Sequence, residues 1–121
     1  MNIINAEEKI AAWLEETIGM PGKIFRGVLP AQMSEGFELR ILSGIPSGLD
    51  RVNEFTLELK GYSPDRQNLW ECFDRVFAAL PIESKNGLLY ADVKGEVRFS
   101  VQEKGALQVA CGTVLLAVSF V

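Results

Sequence analysis

Residues 53–80 constrain the fold most strongly, because the spacing of their apolar side chains changes abruptly. Between residues 54 and 60, apolar and polar side chains alternate strictly, which is the pattern of a strand with one buried face. The tetrapeptide at 61–64, Gly-Tyr-Ser-Pro, interrupts this alternation, and from residue 69 to residue 80 the apolar residues follow helical spacing. A strand followed at once by an amphipathic helix predicts an α+β fold, and the segment contains no recognisable catalytic motif.

The remaining periodicity predicts a first helix and several further strands. Residues 6–18 show the apolar spacing of an amphipathic helix, and Gly19 and Pro21 are suited to ending it. Alternation predicts strands at residues 24–29, 37–41, 88–91, 97–101 and 109–121. We therefore expect a single α+β domain over residues 1–121, with an antiparallel or mixed sheet and two helices packed on one face. We expect the other face of the sheet to be polar.

Two segments carry glycines that predict irregular backbone. Residues 43–52, Ser-Gly-Ile-Pro-Ser-Gly-Leu-Asp-Arg-Val, are rich in residues that favour turns and loops, so they predict an exposed, flexible connector. Gly112 interrupts the long apolar run of the last strand. A glycine at such a position predicts a bulge or a bend.

The acidic residues are concentrated near the N-terminus. The chain carries a formal net charge of −4, which argues against direct binding to nucleic acid, since that requires a basic surface. In the first twenty residues only Lys9 opposes four glutamates, Glu7, Glu8, Glu15 and Glu16. These glutamates can form a solvated helix face or an acidic patch directed at a partner, and the sequence leaves both interpretations open.

Side chains typical of catalysis and metal binding are missing or scattered. The chain contains no histidine and no glycine-rich phosphate-binding motif, which removes most nucleophilic and phosphate-binding sites. Cys72 and Cys111 form no CxxC pair, so we expect no metal site and two reduced, buried thiols. We expect no catalytic residue, no cofactor and no enzymatic activity. We also expect no signal peptide and no membrane-spanning segment, since the N-terminus is acidic and the last apolar run is short.

Two features of the second predicted helix have ordinary structural interpretations. Glu71 and Arg75 are four residues apart, which is the spacing of a surface ion pair. Trp70 lies at the border of the apolar stripe, where it can belong to the edge of the core or form a platform for a ligand. We favour the edge of the core.

The order of these elements resembles that of a family of virus proteins. The segment Phe-Thr-Leu-Glu-Leu-Lys-Gly-Tyr at 55–62, the helix at 65–80 and the closing strand at 113–120 look like those of bacteriophage and prophage tail-terminator and minor capsid proteins. The resemblance implies a structural virion-assembly protein that forms a ring, typically a hexamer, at the head-proximal end of the tail tube. It implies contacts with other copies of itself, with tail-tube protein and with the head connector. It also implies a location in the virion and in the host bacterial cytoplasm during assembly, without sequence-specific nucleic-acid binding or membrane contact.

The resemblance also suggests where the assembly contacts would lie. Ring closure brings one surface of a subunit against a different surface of its neighbour, and exposed strand edges and the 43–52 connector are suited to this. The candidate interface residues are Ser43, Gly44, Ile45, Ser47, Leu49, Asp50 and Arg51. An acidic lumen that repels DNA would draw on the candidate acidic surface, Glu7, Glu8, Glu15 and Glu16, or on the region of Glu35 and Glu38.

Two other functions are compatible with the sequence. The chain could be a small-ligand or peptide-binding α+β module of a bacterial cytoplasmic protein, with Trp13, Tyr62 and Trp70 lining a pocket between the helices and the sheet. It could also be an enzyme that acts through carboxylates, which would require an Asp or Glu with a strongly shifted pKa in a cleft. A pocket lined by those three aromatic residues would favour the binding module, and a strict monomer would count against the ring.

Overall fold

The computed structural model describes residues 3–19, 23–45, 53–85, 88–104 and 107–120. Across these ranges the chain forms two helices and seven strands, in the order α1 (Ile3–Ile18), β1 (Ile24–Phe25), β2 (Gly36–Ile45), β3 (Asn53–Ser63), α2 (Arg66–Ala78), β4 (Ile82–Lys85), β5 (Leu88–Val93), β6 (Arg98–Lys104) and β7 (Leu107–Phe120). The first helix begins earlier than the sequence predicts, and the short strand β4 was not predicted.

The described strands join into one mixed sheet. Its order is β1-β2-β3-β7-β5-β4, and β6 also pairs with β7. The β1–β2 pair is parallel and the other pairs are antiparallel. The long strand β7 is central, because one of its edges pairs with β3 while the other pairs first with β6 and then with β5. The expected α+β class with a mixed sheet is confirmed.

Both helices pack on the same face of the sheet, which we call the helix-side face. Helix α1 lies over β1 and β2, and helix α2 lies over β3 and β7 and also contacts α1. Each helix buries its apolar stripe in a core shared with the strands; the buried stripe of α2 is Leu69, Cys72, Phe73 and Val76. Burial of a large apolar side chain contributes about 1.5–3 kcal/mol, so these stripes fix both helices on the sheet.

Polar contacts set the start of α2 and the end of α1. Asp65 caps α2, because its Oδ1 accepts hydrogen bonds from the backbone N–H groups of Gln67 at 3.0 Å and Asn68 at 3.3 Å. Arg75 Nη1 donates to the carbonyl oxygen of Ile18 at 2.8 Å, which satisfies a terminal carbonyl of α1. The expected Glu71–Arg75 surface pair is therefore wrong: Glu71 instead accepts a hydrogen bond from the Gln67 side chain at 3.4 Å.

The glycines near the middle of β3 and β7 serve packing. Gly61 and Gly112 are direct cross-strand partners, and the registers of β7 with β3 and with β6 run through Gly112 without a shift. The predicted bulge at Gly112 is therefore wrong. A Cβ atom at Gly112 would lie 2.6 Å from Cε2 of Phe73, and one at Gly61 would lie 2.5 Å from Cε1 of Phe37. Because these positions lack side chains, the aromatic rings beneath α2 can approach the backbone of the sheet.

The strand β3 also extends beyond the predicted break at residues 61–64. It continues through Gly61 and Tyr62 to Ser63, because each of these residues has a partner in β7 and the first two also pair with β2. The pairing ends at Pro64, which has no backbone N–H to donate.

The predicted 43–52 connector is only partly a connector. Strand β2 runs to Ile45, so the prediction is wrong for residues 43–45. Leu42 is an extra residue between the Ile41–Leu57 and Ser43–Thr56 pairs, which is the arrangement of a β-bulge. Pairing with β3 resumes after the bulge and keeps residues 43–45 extended. Residues 46–52 lie outside the described residues, and so do the candidate interface residues Ser47, Leu49, Asp50 and Arg51.

The outer face of the sheet is polar only in part. Leu29, Tyr62, Val109 and Cys111 form a small buried cluster there, and the segment 26–35, which we call the cover segment, crosses it. The predicted strand at 24–29 ends at Phe25 for this reason. The Glu38 carboxylate accepts hydrogen bonds from the Leu29 N–H at 2.6 Å and from the Tyr62 hydroxyl at 3.3 Å, and these bonds hold the cover segment on the sheet.

Candidate assembly surface

Strand β6 has one edge that is not used within the described residues. Its other edge pairs with β7 along its whole length, from Arg98 opposite Thr113 to Lys104 opposite Leu107. Edge strands present backbone N–H and C=O groups that another chain can pair with. This edge is therefore a potential site of contact with a second protein chain.

An exposed apolar patch lies beside this edge on the helix-side face. Trp70, Phe99 and Val101 are 45%, 50% and 69% exposed, and we call these three residues the β6 patch. The ring centroids of Trp70 and Phe99 are 5.6 Å apart, and the guanidinium of Arg66 lies 5.3 Å from the centroid of the Trp70 ring. The patch borders a small cavity of about 200 Å³, lined by Arg66, Trp70, Phe99, Ser100, Val101 and Ala110.

The layout of the helices explains why this patch is exposed. Alternation along β6 directs Phe99 and Val101 to the helix-side face, as the pairing of Phe99 with the packing glycine Gly112 shows. Helix α2 lies over β3 and β7, so β6 extends past the covered area. Phe99 contacts Phe73 and Trp70 at the edge of the core, and Val101 is one pleat further out. Trp70 is therefore a core-edge residue, as expected, with nearly half of its surface in solvent.

The four N-terminal glutamates lie on α1, which is the helix farther from the β6 patch. Glu8 and Glu16 are exposed, and Glu7 and Glu15 are half-buried. Glu7 and Glu16 are about two and a half helical turns apart, so they lie on opposite sides of α1; we call Glu8, Glu15 and Glu16 the acidic α1 face. Glu8, Ala12 and Glu16 are spaced four residues apart and exposed, so they share one stripe of the helix surface. Glu8 also forms an exposed ion pair with Arg26 at 3.6 Å. Glu35, an alternative acidic candidate, instead accepts hydrogen bonds from Ser63 and Asn68.

The structure separates the other candidate interface residues from the acidic α1 face. Ser43 and Gly44 are exposed at the end of β2, and Ile45 is its last residue. Ser43 pairs with Thr56, which alternates with the buried Phe55 and Leu57 and so points to the outer face. Two shallow cavities of about 420 and 450 Å³ occupy this face, and Lys94 lines both. Ser43 and the acidic α1 face therefore lie on opposite faces of the sheet.

The three aromatic residues proposed to line a ligand pocket do not meet. Trp13, a residue of α1, is buried in the main core, Tyr62 belongs to the small cluster on the outer face, and Trp70 lies in the β6 patch. The pocket that the binding-module hypothesis requires is not formed by these residues, because Tyr62 and Trp70 are on different faces of the sheet.

Burial dominates the titration of three side chains. It raises the pKa of the Tyr62 phenol above its ordinary value of 10.0, and the neighbouring Glu38 carboxylate raises it further. Burial also raises the pKa values of the Cys72 and Cys111 thiols. Both cysteines are buried and neither forms a disulfide, which confirms the expected buried thiols. A protonated, buried thiol is a poor nucleophile, so these residues act as core side chains.

The described ranges contain neither a metal-binding cluster nor a membrane-spanning helix. No group of three or more His, Cys, Asp or Glu residues there could hold a metal ion. No helix in the same ranges is both long and apolar enough to span a membrane. Comparison with known protein families finds no family model that matches the chain, and comparison with characterised proteins finds no significant match.

Proposed function

We propose that this chain is a structural virion-assembly subunit of the tail-terminator type, which forms a ring with other copies of itself. The observation that carries the proposal is the β6 edge, where a strand without a described partner lies beside the exposed β6 patch. Three large apolar side chains at a strand edge are the composition of a contact surface, because aromatic residues are enriched in the centres of protein interfaces.

The arrangement of the sheet suits ring formation. A ring needs a heterologous contact, in which one side of a subunit meets the opposite side of its neighbour. The sheet order places β1 and α1 at one side of the domain and the β6 edge at the other. The two sides therefore differ in chemistry, as a heterologous contact requires. The resemblance of residues 55–62, 65–80 and 113–120 to tail terminators supports the same function.

The proposal is tested by the mass of the protein in solution. Native mass spectrometry and light scattering across a concentration series are expected to show one closed oligomer of defined number. Val101→Asp should shift the protein to the monomer, since it places a charge within the β6 patch. Val28→Asp is the matched control, because Val28 is 87% exposed and lies on the cover segment. A wild-type protein that stays monomeric at every concentration would refute the ring.

The β6 edge also favours a second candidate function, that of a peptide-binding module. An extended peptide could add to β6 as a further strand and place a side chain in the cavity beside Trp70. This function predicts a monomer that captures peptides through β6 and loses them in Val101→Asp. The mass measurement separates the two candidates, since only the ring requires self-association.

A further inference from the structure

We infer that the subunit contact is head-to-tail, with the β6 patch and Arg66 of one copy packed on the acidic α1 face of the next copy. This inference rests on the proposed ring and names the two surfaces that would build it. It commits to a second copy of this chain as the occupant of the β6 patch. If a peptide or a different protein occupies the patch instead, the wild-type chain alone will remain a monomer.

The acidic α1 face and the β6 patch belong to opposite ends of the domain. Helix α1 covers β1 and β2, α2 follows beside it over β3 and β7, and β6 lies beyond α2. The acidic α1 face and the β6 patch therefore flank the same helix layer from opposite sides. When two copies make this contact, one copy keeps a free β6 patch and the other keeps a free acidic α1 face. Further copies can therefore be added in the same way until the ring closes.

The charges of the two surfaces are complementary. Arg66 is the only charged residue among the six described residues that line the cavity at the β6 patch, and it takes part in no ion pair within the described part of the chain. The acidic α1 face offers three carboxylates, of which that of Glu8 already pairs with Arg26. Glu16 is exposed and has no ion-pair partner among the described residues. Arg66 of one copy and Glu16 of the next can therefore satisfy each other.

The small Ala12 side chain leaves room on the exposed stripe of α1. It lies between Glu8 and Glu16. The rings of Trp70 and Phe99 are about half exposed, so they can pack against α1 at this position. Packing both rings on Ala12 brings Arg66 towards the glutamates that flank it. Trp and Arg are also the residue types that most often dominate the binding energy of an interface.

Charge reversal tests this pairing directly. Arg66→Glu and Glu16→Arg are each expected to weaken self-association by roughly tenfold or more, the size that loss of about 1.4 kcal/mol gives. Combining both changes in one chain should restore most of the association, because the two charges exchange places. Lys94→Glu and Glu54→Arg are the matched controls, since both residues are exposed on the outer face and undergo the same charge changes. Circular dichroism and thermal unfolding establish that each variant is folded.

The outcomes separate this inference from the proposed function. Weakening by both single reversals with recovery in the double variant supports it. An oligomer that forms equally well in all three variants overturns the pairing and leaves the ring in place. If the wild-type chain is a monomer, both the surface pairing and the proposed ring are refuted. As a second test, Ala12→Phe places a large side chain at this exposed position of α1 and should weaken self-association. An unchanged oligomer mass in this variant would also overturn the inference.

Discussion

Gly61 and Gly112 allow the aromatic core to lie directly on the sheet, so replacing either with alanine is expected to destabilise the fold. Neither residue has a positive φ angle, and alanine can adopt their backbone conformations. The cost comes from space alone. The new Cβ would lie 2.6 Å from a Phe73 ring carbon in Gly112→Ala, and 2.5 and 2.9 Å from Phe37 and Leu69 atoms in Gly61→Ala. Carbon atoms in contact normally stay about 3.5–4.0 Å apart.

The rings have little room to give way. Phe73 contacts Phe37, Phe77 and Phe99 at centroid distances between 5.8 and 6.2 Å, so a shift of one ring displaces the others. Overpacking of this kind costs about 1–3 kcal/mol. Alanine recovers part of that, about 0.4–1 kcal/mol, by restricting the unfolded chain. We expect a net loss of about 1–2 kcal/mol in the free energy of unfolding for each variant.

Urea denaturation followed by tryptophan fluorescence measures this loss. All variants are compared at one protein concentration, since self-association would otherwise add to the apparent stability. The informative control is Phe73→Leu, which removes the ring atoms that Gly112→Ala would meet. If crowding is the cause, the double variant should be more stable than the sum of the two single losses predicts.

A different result would refute this reasoning. If Gly112→Ala leaves the free energy of unfolding unchanged or raises it, the ring does not lie against the backbone. If the two losses are additive, the cost of the alanine arises somewhere other than its contact with Phe73.

Two further predictions concern single hydrogen-bonding side chains. Arg75→Met removes the donor to the Ile18 carbonyl oxygen and should lower the free energy of unfolding by about 1 kcal/mol; an unchanged urea midpoint would contradict this. Burial holds the pKa of Tyr62 above its ordinary value, so the unfolded chain releases the phenol proton first as the pH rises. Stability should therefore fall above about pH 10, by up to about 1.4 kcal/mol per pH unit. Tyr62→Phe should flatten this slope, and an identical slope in both proteins would show that another group causes it.

The fold was predictable where the local pattern coincided with the tertiary environment. The alternation at 54–60 and the helical spacings at 6–18 and 69–80 each describe a surface with one buried face, and such a surface is encoded in the order of residues alone. The errors occurred where pairing with a distant strand outweighed local propensity. Residues 43–45 and 61–63 contain glycine and serine, yet they are extended because β3 and β7 hold them in register.

The candidate site was less predictable than the fold. The pattern assigns Phe99 and Val101 to an apolar face, and it cannot show that α2 stops short of β6 and leaves them exposed. Arg75 was expected to pair with Glu71, its neighbour on the helix surface. It contacts Ile18 instead, 57 positions away in the chain, because the packing of α1 against α2 brings that carbonyl within reach.

The sequence by itself determined the α+β class, the two amphipathic helices and the lack of histidine chemistry, since these depend on residue identity and on periodicity over a few turns. The tertiary structure decided which strand edges have no described partner, which apolar residues are exposed and which surfaces flank the helix layer. Those properties depend on how far each helix extends over the sheet and on which distant strands pair. Neither is a local property of the chain, because contacts between residues far apart in sequence form only when the whole sheet is assembled.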